Sequence, residues 1–457
     1  MKKTNSTFIA LFMSFSIVAQ TDSTIIKKIF NDALTNSKSY SNLEYLCKKI
    51  GGRLAGSPQT QKAVEWTFKA MKEAGADTVY LQECMVPHWV RGDKEIAKVF
   101  TANAKSFKQV PICALGGSVA TPKEGLTAKI IEAIGIDDLK KLGKENIEGK
   151  IVFFNEPMDP TFIGTFHGYG KAVMQRWAGA KEAAKYGAVG VVVRSVTLAQ
   201  DDNPHTGVMA YEDGITKIPA CAISTNGANW LSNYIKSDKE ATFYFKMNCE
   251  TLPDEKSYNV VAEIYGSSKK DEIITVGGHL DAWDNGEGAH DDGAGIVQSI
   301  DVVRIYKSLQ LKPKCTIRAV AFMNEENGGR GGKKYAELAI LKKEKHIAAI
   351  ESDAGGFSPR GFSSSMSAKQ KAILKSWKPL LEPYGLHDFE NDGGGADIEP
   401  LHEQLGTPVL ELMPDSQRYF DYHHTAIDVF EAVNKRELEL GGASMAALIW
   451  LISEYGL

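Results

Sequence analysis

The sequence predicts an α/β protein in which a mostly parallel central sheet is flanked by helices and a β-rich accessory domain is inserted. Three observations support this prediction. The C-terminal part alternates apolar strand-like runs with helical stretches, a helix–strand unit precedes it near the N-terminus, and the segment between them has shorter strand-like runs separated by glycine and proline. Alternating strands and helices favour a parallel sheet that is covered on both faces.

The first 19 residues have the pattern of a signal peptide. Two lysines precede an apolar run from Phe8 to Ala19, which is too short to cross a membrane permanently. We expect cleavage after Ala19 and secretion to the periplasm or the exterior, without stable membrane insertion. A tail that anchors the protein in a membrane is the alternative.

Residues 20–100 form the N-terminal part of the first predicted domain. A helix begins at Ser57-Pro58 and ends near Gly75, and the run "DTVYLQE" that follows is strand-like. Residues 101–251 have a different sequence pattern, with short strand-like runs such as "KIVFFNEP" and "AVGVVVRS" and few clustered histidines or acidic residues. An inserted accessory domain is the simplest interpretation of this segment.

Residues 252–457 carry the regular alternation, with strand-like runs such as "DEIITVGG", "CTIRAVAFMN", "KHIAAIESDA" and "TPVLELMPD". Ligands in folds of this kind bind beyond the carboxyl ends of the strands. Acidic and imidazole side chains follow the predicted strand ends, and they are His279, Asp281, Glu325, Glu326, Asp353, His423, His424 and Asp428.

Each of these side chains alone fits a solvated turn, a helix start or a helix cap. Together at one sheet edge they would repel one another without a cation, so a metal site is the more economical interpretation. Histidine and carboxylate ligands without cysteine suit zinc, with cobalt or manganese as alternatives.

Composition excludes several other functions. The chain has 457 residues and a formal net charge of −4, which gives no reason to expect a nucleic-acid partner. The six cysteines are scattered without a C-x-x-C pair, which excludes a zinc ribbon. The motifs of the α/β-hydrolase nucleophile and of the nucleotide-binding P-loop are also missing from the sequence.

Five motifs, "GGHLD", "GAHDDGAG", "MNEENGGRGG", "ESDAGG" and "YHHTAID", resemble in this order those of peptidase family M28, the co-catalytic zinc exopeptidases. The resemblance covers nearly the whole mature chain. It implies a zinc-dependent exopeptidase that hydrolyses dipeptides or other small peptide substrates with a hydroxide bridging two Zn²⁺ ions per chain. Relatives of this type often dimerise, so the resemblance also implies a homodimer.

The resemblance assigns metal ligands motif by motif. It implies that His279 and Asp353 hold one zinc ion. Glu326 and His424 would hold the other, and Asp291 would bridge the two ions and precede a cis peptide bond. The family's H-T-x-x-D/E spacing is matched by His424 and not by the histidine before it.

Further roles follow from the same resemblance. Glu325 is the implied general base, and Asp281 is expected to orient His279. Many relatives have a tyrosine before the metal-binding histidine to stabilise the oxyanion. His423 stands there, where it would be a catalytic donor or only a packing residue. The loop "DGGGADIEP" matches a substrate-pocket loop, so Asp397 is expected to contact a substrate amine, with an N-cap as the alternative.

The remaining features have weaker assignments. The inserted segment resembles a protease-associated domain, which would cover the cleft and limit it to short substrates. Asp284 and Glu287 are expected to be solvated, and His290 has no assigned role. Arg330 and Arg360 lie near motif loops and are the cations considered for a substrate carboxylate.

Three other functions stay open at this point. The first is an aminopeptidase that acts on longer peptides. The second is a transferase like the glutaminyl cyclases, which share the fold and use one zinc ion. The third is a non-catalytic, receptor-like binding module that has kept the architecture and not the chemistry.

Overall fold

The computed structural model describes residues 22–100 and 106–457. The predicted signal peptide, residues 1–19, lies outside these described residues. Among the helices in the two described ranges, none combines the length and the apolar character needed to cross a membrane.

The strands of the described residues are β1 (Thr78–Val90), β2 (Ile96–Phe100), β3 (Phe107–Gln109), β4 (Ile112–Ala114), β5 (Leu126–Ala133), β6 (Ile151–Phe154), β7 (Gly190–Arg194), β8 (Ala220–Ile223), β9 (Thr242–Lys246), β10 (Glu250–Ile264), β11 (Lys269–His279), β12 (Cys315–Phe322), β13 (Lys345–Glu351), β14 (Pro359–Ser365) and β15 (Val409–Pro414).

The α-helices are α1 (22–36), α2 (Ser39–Tyr45), α3 (Pro58–Glu73), α4 (Asp138–Leu142), α5 (Lys144–Ile147), α6 (Thr165–Ala172), α7 (Met174–Trp177), α8 (Gly179–Lys185), α9 (Thr225–Ser237), α10 (Ala294–Ser308), α11 (Arg330–Lys342), α12 (Ala368–Ser376), α13 (Lys378–Leu381), α14 (Glu399–Leu405), α15 (Tyr419–Tyr422) and α16 (Lys435–Tyr455). The predicted helix after Ser57 is α3, and the side chain of Ser57 caps it by accepting the Thr60 N–H.

The first sheet has seven strands in the order β1-β10-β12-β11-β13-β15-β14. Its central strands β12, β11, β13 and β15 are parallel, whereas β1, β10 and β14 pair antiparallel at the edges. The sheet is therefore mixed, and the prediction of a mostly parallel sheet describes its centre alone. The reason is that the chain leaves this sheet after β1 and returns as β10, so the two strands run side by side in opposite directions.

The second sheet has eight strands in the order β3-β2-β9-β5-β6-β7-β8-β4, and β5 to β8 are parallel neighbours within it. Its first strand begins at Ile96, on the N-terminal side of the boundary expected at residue 101, and β10 of the first sheet begins at Glu250. The division into separate domains and the likeness to a protease-associated domain remain predictions. We refer to residues 96–246 as the second-sheet segment.

The core of the first sheet lies on both of its faces. Side chains of β12 alternate: Ala319 and Ala321 pack in the cluster that includes α10 and α16, and Val320 and Phe322 pack with α11 and α14. Every residue of β12 is buried, as expected for a strand covered on both sides. Burial of this kind stabilises the fold by about 1.5–3 kcal/mol for each large apolar side chain. The carboxyl ends of the parallel strands are thereby fixed at one edge.

The six cysteines are all unpaired and buried. They lie in the apolar clusters of the described residues. Burial raises the pKa of each thiol above its usual value, so these side chains act as packing residues.

Candidate metal centre

Five predicted donors meet at the carboxyl edge of the parallel strands. His279 is the last residue of β11, and Asp353 and Glu326 follow the ends of β13 and β12. Asp291 lies in the turn Ala289–Gly293, in which Asp291 and Asp292 have non-helical dihedral angles and which leads into α10, and His424 follows α15. The sequence prediction that these residue types gather at one edge agrees with this arrangement, and their role as metal ligands remains a prediction.

Asp291 lies between the two candidate histidines. Its Oδ1 is 3.0 Å from Nε2 of His279, and its Oδ2 is 3.2 Å from Nε2 of His424. His279 Nε2 is also 3.3 Å from Asp353 Oδ1, and His424 Nε2 is 3.1 Å from Glu326 Oε2. The donors therefore form two groups that share one carboxylate, which we call the first half (His279, Asp353) and the second half (Glu326, His424).

The ring of His279 is oriented by a main-chain contact. Its Nδ1 lies 2.9 Å from the carbonyl oxygen of Asp281 and 3.9 Å from the Asp281 carboxylate. A carbonyl oxygen can only accept, so Nδ1 carries a proton, and Nε2 is the nitrogen that faces Asp291 and Asp353. Asp281 therefore contacts His279 as expected, but through its backbone carbonyl group and not through its carboxylate.

The Asp281 carboxylate has a different role. Its Oδ1 accepts the backbone N–H groups of Asn324 and Glu325, at 2.7 and 3.1 Å. It thus fixes the turn that presents Glu325 and Glu326, a turn in which Asn324 has a positive φ of 70°. Sequence spacing alone did not reveal this link between two motifs.

The turn around Asp291 is held from both sides. The Asp428 carboxylate accepts the N–H groups of His290 and Asp291, at 2.7 and 3.1 Å. Asp292 accepts the His279 N–H through Oδ2 at 2.9 Å. A Cβ at Gly278 would lie 2.2 Å from that Oδ2, which explains the second glycine of "GGH". The peptide bond between Asp291 and Asp292 is cis, as the resemblance implies.

The two glutamates after β12 have different surroundings. Glu326 is buried, and its Oε1 accepts the Trp283 N–H at 3.2 Å. Glu325 is half-buried, and within the described residues nothing donates a hydrogen bond to its carboxylate. Burial raises the pKa of Glu325 well above its usual value, and the neighbouring carboxylates of Asp353 and Glu326 add to that rise. Glu325 is therefore the free carboxyl group of the pair.

Burial and neighbouring charges shift the pKa values of Glu326, His424 and Asp291. Burial, together with the charge of Asp291, raises the pKa of Glu326 to about 7. Burial disfavours a charged His424, but Glu326 and Asp291 outweigh it and raise the pKa of His424 to about 10. Burial likewise opposes ionisation of Asp291, yet its contacts with His279 and His424 hold its pKa well below the usual range.

His423 and His424 lie face to face. Their ring centroids are 3.5 Å apart with an interplanar angle of 21°, and His423 Nε2 is 3.8 Å from Asp291 Oδ2. Burial, with the neighbouring His424, holds the pKa of His423 well below its usual value, so its imidazole is neutral. His423 also belongs to a group of three close donor atoms with Asp291 and His424, so its position fits an oxyanion donor or a metal contact.

Asp397 is buried, and neither oxygen of its carboxylate has a hydrogen-bond partner. Its backbone N–H donates to Glu351 Oε2 at 3.1 Å. Burial, together with the charge of Glu351, raises the pKa of Asp397 well above its usual value. It does not cap a helix through its side chain, and its contact with a substrate amine stays a prediction.

The structure gives partners to three residues of the loop between His279 and Asp291. Asp284 is bound by Arg91, and Glu287 is bound by Lys48, so neither is simply solvated. His290 is a packing residue: it stacks on Phe357 at 4.2 Å, and its Nδ1 accepts the Gly356 N–H. Partners far along the chain bind the two acids, and no local pattern indicates them.

Arg53 is a buried residue that the motif analysis missed. It is 0% exposed, and its guanidinium donates to the carbonyl groups of Leu280, Glu287 and Gly288 at 2.6, 2.8 and 3.1 Å. It therefore clamps the loop that joins His279 to Asp291. A single arginine in "GGRLAGS" carries no spacing signal for this role.

Arg176 is a second missed cation, and it belongs to the second-sheet segment. Its side chain is buried, its Nη2 donates to the Tyr169 hydroxyl at 2.8 Å, and its Nε has no hydrogen-bond partner. The Tyr169 ring meets His423 edge-on at 5.2 Å. Arg330 and Arg360, by contrast, form exposed ion pairs with Asp254 and Asp415. Within the described residues, no acidic side chain forms an ion pair with Arg176.

An α/β fold with buried imidazoles and carboxylates at the carboxyl edge of its parallel strands defines the class as a metal-dependent hydrolase. The model of peptidase family M28 matches residues 259–449. Carboxypeptidase Q of Mus musculus is 33% identical over 433 residues, which cover 94% of this chain and 89% of that protein. The chain belongs to peptidase family M28 and is a metallopeptidase.

Solved structures agree with this assignment. The crystal structure of a peptidase M28 precursor from Shewanella amazonensis SB2B matches with a TM-score of 0.90 and 35% identity, covering 95% of this chain and 97% of that one. A zinc aminopeptidase from Bacillus subtilis matches with a TM-score of 0.64 at 21% identity, covering 90% and 93%. The latter likeness concerns the fold alone.

Proposed function

We propose that the protein is a secreted exopeptidase that uses two zinc ions to hydrolyse dipeptides or short peptides, with Glu325 as the general base. The observation that carries this proposal is the position of Asp291, whose two oxygens face two different histidines at 3.0 and 3.2 Å. One carboxylate shared between two imidazole–carboxylate groups is the arrangement that a two-metal site requires.

The residues fit the proposed metal. Asp291 Oδ2 and Asp353 Oδ1 are buried and have no hydrogen-bond partner, although an imidazole nitrogen lies within 3.3 Å of each. Buried carboxylate oxygens of this kind need a cation. Imidazole and carboxylate donors without cysteine suit zinc. The Bacillus subtilis protein with a similar fold is named a zinc aminopeptidase. The first half would hold one ion and the second half would hold the other. Asp291 would be a ligand of both ions.

When bound, the two ions would lower the pKa of a water molecule and polarise the scissile carbonyl. Glu325 would remove the proton of that water and deliver it to the leaving amine. Its free carboxyl group supports this role, and a raised pKa makes a carboxylate a stronger proton acceptor. Glu326, one residue further on, would be occupied as a ligand.

His423 would stabilise the oxyanion of the tetrahedral state. A neutral imidazole can donate one hydrogen bond, and burial keeps His423 neutral. Its ring is held between His424 and Tyr169, with centroid distances of 3.5 and 5.2 Å. These contacts support a fixed donor beside the metals.

We propose a carboxypeptidase or dipeptidase mode over an aminopeptidase that acts on longer peptides. The supporting residue is Arg176, a buried guanidinium with an unused Nε–H that lies one ring away from His423. A guanidinium recognises a carboxylate group well, and the C-terminus of a short peptide supplies one. Asp397 would meet the amine at the other end of a dipeptide.

Two further proposals concern the state of the protein. Export is supported by the signal-peptide pattern of residues 1–19. Homodimer formation rests on the family resemblance and has no residue-level argument. The glutaminyl-cyclase-like and receptor-like alternatives are disfavoured because a residue of the required type stands at each predicted ligand position and at the position of the general base, Glu325.

The first experiment tests the chemistry. In Glu325→Gln we expect kcat to fall by about 10²–10⁴-fold while the zinc content, measured by elemental analysis, stays at two per chain. Glu326→Gln is the matched variant and should lose zinc as well as activity. Full activity in Glu325→Gln would exclude the proposed base, and one zinc ion in the wild type would favour the cyclase-like alternative.

The second experiment tests the mode. A free dipeptide is compared with its N-acetylated and C-amidated forms, and amidation should abolish turnover. Arg176→Met should raise KM for the free dipeptide and leave kcat less affected, whereas Arg330→Met, on the surface, should behave as the wild type. Loss on acetylation, with no effect of amidation or of Arg176→Met, would instead support an aminopeptidase.

A further inference from the structure

The two halves of the candidate metal centre are supported by different parts of the chain. In the first half, the ring of His279 contacts the Asp281 carbonyl, and its backbone N–H donates to Asp292. These partners all belong to the edge of the first sheet. Within the described residues, these hydrogen bonds of His279 therefore come from outside the second-sheet segment.

In the second half, the histidine is held by a residue of the second-sheet segment. Nδ1 of His424 lies 3.2 Å from the carbonyl oxygen of Thr206, and the Thr206 N–H donates to the His424 carbonyl at 3.0 Å. Thr206 is fully buried between β7 and β8. Because the Thr206 carbonyl only accepts, it fixes the proton on Nδ1 and leaves Nε2 to face Glu326 and Asp291.

His424 needs this support because of its backbone. Its φ is +64°, a conformation that is unfavourable for a residue other than glycine and that its surroundings must maintain. Besides Thr206, the Asn285 side chain donates to the His424 carbonyl at 3.0 Å. His279, at the end of a buried strand, has no such requirement.

Thr206 is in turn held by a group of side chains around Arg91. The Thr206 hydroxyl donates to the Ala114 carbonyl at 2.7 Å and accepts from Nη2 of Arg91 at 3.4 Å. Nη1 of Arg91 also donates to the Ala114 carbonyl at 2.7 Å. On its other side, Arg91 binds Asp284 through Nε and Nη2 at 2.9 and 2.6 Å. We call Arg91, Ala114, Thr206 and Asp284 the Arg91 latch.

Glu326, the other donor of the second half, depends on the same interface. It accepts the N–H of Trp283, the residue before Asp284. The Trp283 ring meets Trp89 edge-on at 6.3 Å and lies so close to Gly116 that a Cβ there would be 1.9 Å away. Both donors of the second half therefore contact residues that the second-sheet segment or the latch holds in place.

We infer that Arg91 and Thr206 are positioning residues for the second half, and that this half binds its divalent cation strongly only while the hydrogen bonds of the Arg91 latch are formed. The first half keeps its cation independently of the latch. The inference rests on the proposed function, because it takes the ligands of both halves to be divalent cations. It makes the second-sheet segment a part of the metal site.

The test uses the full chain and measures metal binding directly. Apoprotein of the wild type, Arg91→Met, Thr206→Val and Thr206→Ser is titrated with Co²⁺ while the visible absorption is recorded, and zinc per chain is measured after dialysis. We expect two ions in the wild type. In Arg91→Met and Thr206→Val, one ion should bind unchanged and the other about 10–100-fold more weakly. Thr206→Ser keeps the hydroxyl group and should behave as the wild type.

Two controls separate positioning from a loss of folding. Arg330→Met removes an exposed ion pair with Asp254 and should leave both affinities unchanged. If Arg91→Met does not fold, Thr206→Val decides, because valine preserves the shape and both backbone groups. Excess zinc should restore turnover in the latch variants by mass action, which it would not do for a misfolded chain.

The outcomes also separate this inference from the proposed function. Two ions in the wild type with equal weakening of both, or with no weakening, in the latch variants would overturn the inference and leave the two-metal proposal intact. A single ion in the wild type would overturn the two-metal proposal first and the inference with it.

Discussion

The first and second halves of the candidate metal centre lie on one sheet edge but differ in what holds their histidines. His279 ends a buried strand, and main-chain and side-chain partners of the same edge orient it. His424 lies in a loop with positive φ and depends on Thr206 of the second-sheet segment. The comparison shows that a parallel sheet edge can orient one histidine of the site by itself, whereas the other histidine also contacts a second structural unit.

Removing Asp291 should have the largest effect, because it is the one residue that both halves share. In Asp291→Ala, we expect loss of both ions and no measurable turnover, since Nε2 of each histidine loses the carboxylate oxygen that lies 3.0 or 3.2 Å away. Zinc per chain and dipeptide hydrolysis are the measurements, with the exposed Asp271→Ala as the control. Retention of one tightly bound ion would show that the halves are independent of the bridge.

Metal loading should depend steeply on pH. Without metal, burial opposes a charged His424, but Glu326 and Asp291 raise its pKa to about 10, and burial with the charge of Asp291 raises the pKa of Glu326 to about 7. At neutral pH His424 therefore holds a proton and Glu326 is about half protonated. Zinc must displace these protons, so its affinity should rise by about tenfold per pH unit for each proton released and fall as the pH is lowered.

Calorimetry in buffers of different ionisation enthalpy gives the number of protons released on binding each ion. We expect at least one proton for each half, because the pKa of His279 is also raised well above its usual value by Asp353 and Asp291, which outweigh the effect of burial. A binding enthalpy that does not vary with the buffer would contradict this account.

Gly116 tests the interface itself. A Cβ at this position would lie 1.9 Å from the Trp283 ring, so Gly116→Ala should displace Trp283 and with it the N–H group that Glu326 accepts. We expect about tenfold weaker binding of the second ion and a loss of about 1–3 kcal/mol in the free energy of unfolding. Zinc titration and thermal unfolding are the measurements.

Gly170→Ala is the matched control, because a Cβ there meets no atom within 4 Å. It should leave the zinc affinity unchanged and raise the stability by no more than about 1 kcal/mol. Equal weakening of both ions in Gly116→Ala would contradict the division of the site into two halves.

The sequence predicted the first half better than the second for a physical reason. His279 and Asp353 follow apolar strand runs, and parallel strands must end at the same edge, so pattern alone brings them together. The assignment of His424 over His423 came from the family spacing. Nothing local indicated Thr206 or Arg91, because the contacts of Thr206 with His424 and with Arg91 join residues that are more than 100 positions apart.

The fold was predictable to a similar degree. The alternation of strands and helices after residue 252 gave the parallel centre, but not the antiparallel pairing of β1 with β10, which depends on where the chain re-enters after the second sheet. In the same way, Asp284 looked like a solvated turn residue, since the arginine that binds it lies 193 positions away. Long-range pairing of polar groups leaves no periodic signal.

The smallest effect is expected in the middle of β11 and β12, where Thr275 and Arg318 each lie four residues before the end of their strand. Tyr335 is buried, and its hydroxyl contacts the Thr275 hydroxyl at 3.0 Å and Nη1 of Arg318 at 3.3 Å. Tyr335→Phe removes these hydrogen bonds and should lower the free energy of unfolding by about 0.5–1.5 kcal/mol. Both zinc affinities should stay at wild-type values, as measured by the same titration. Because this variant loses stability without touching the latch, a change in the second ion here would mean that general destabilisation, and not the latch, controls the second half.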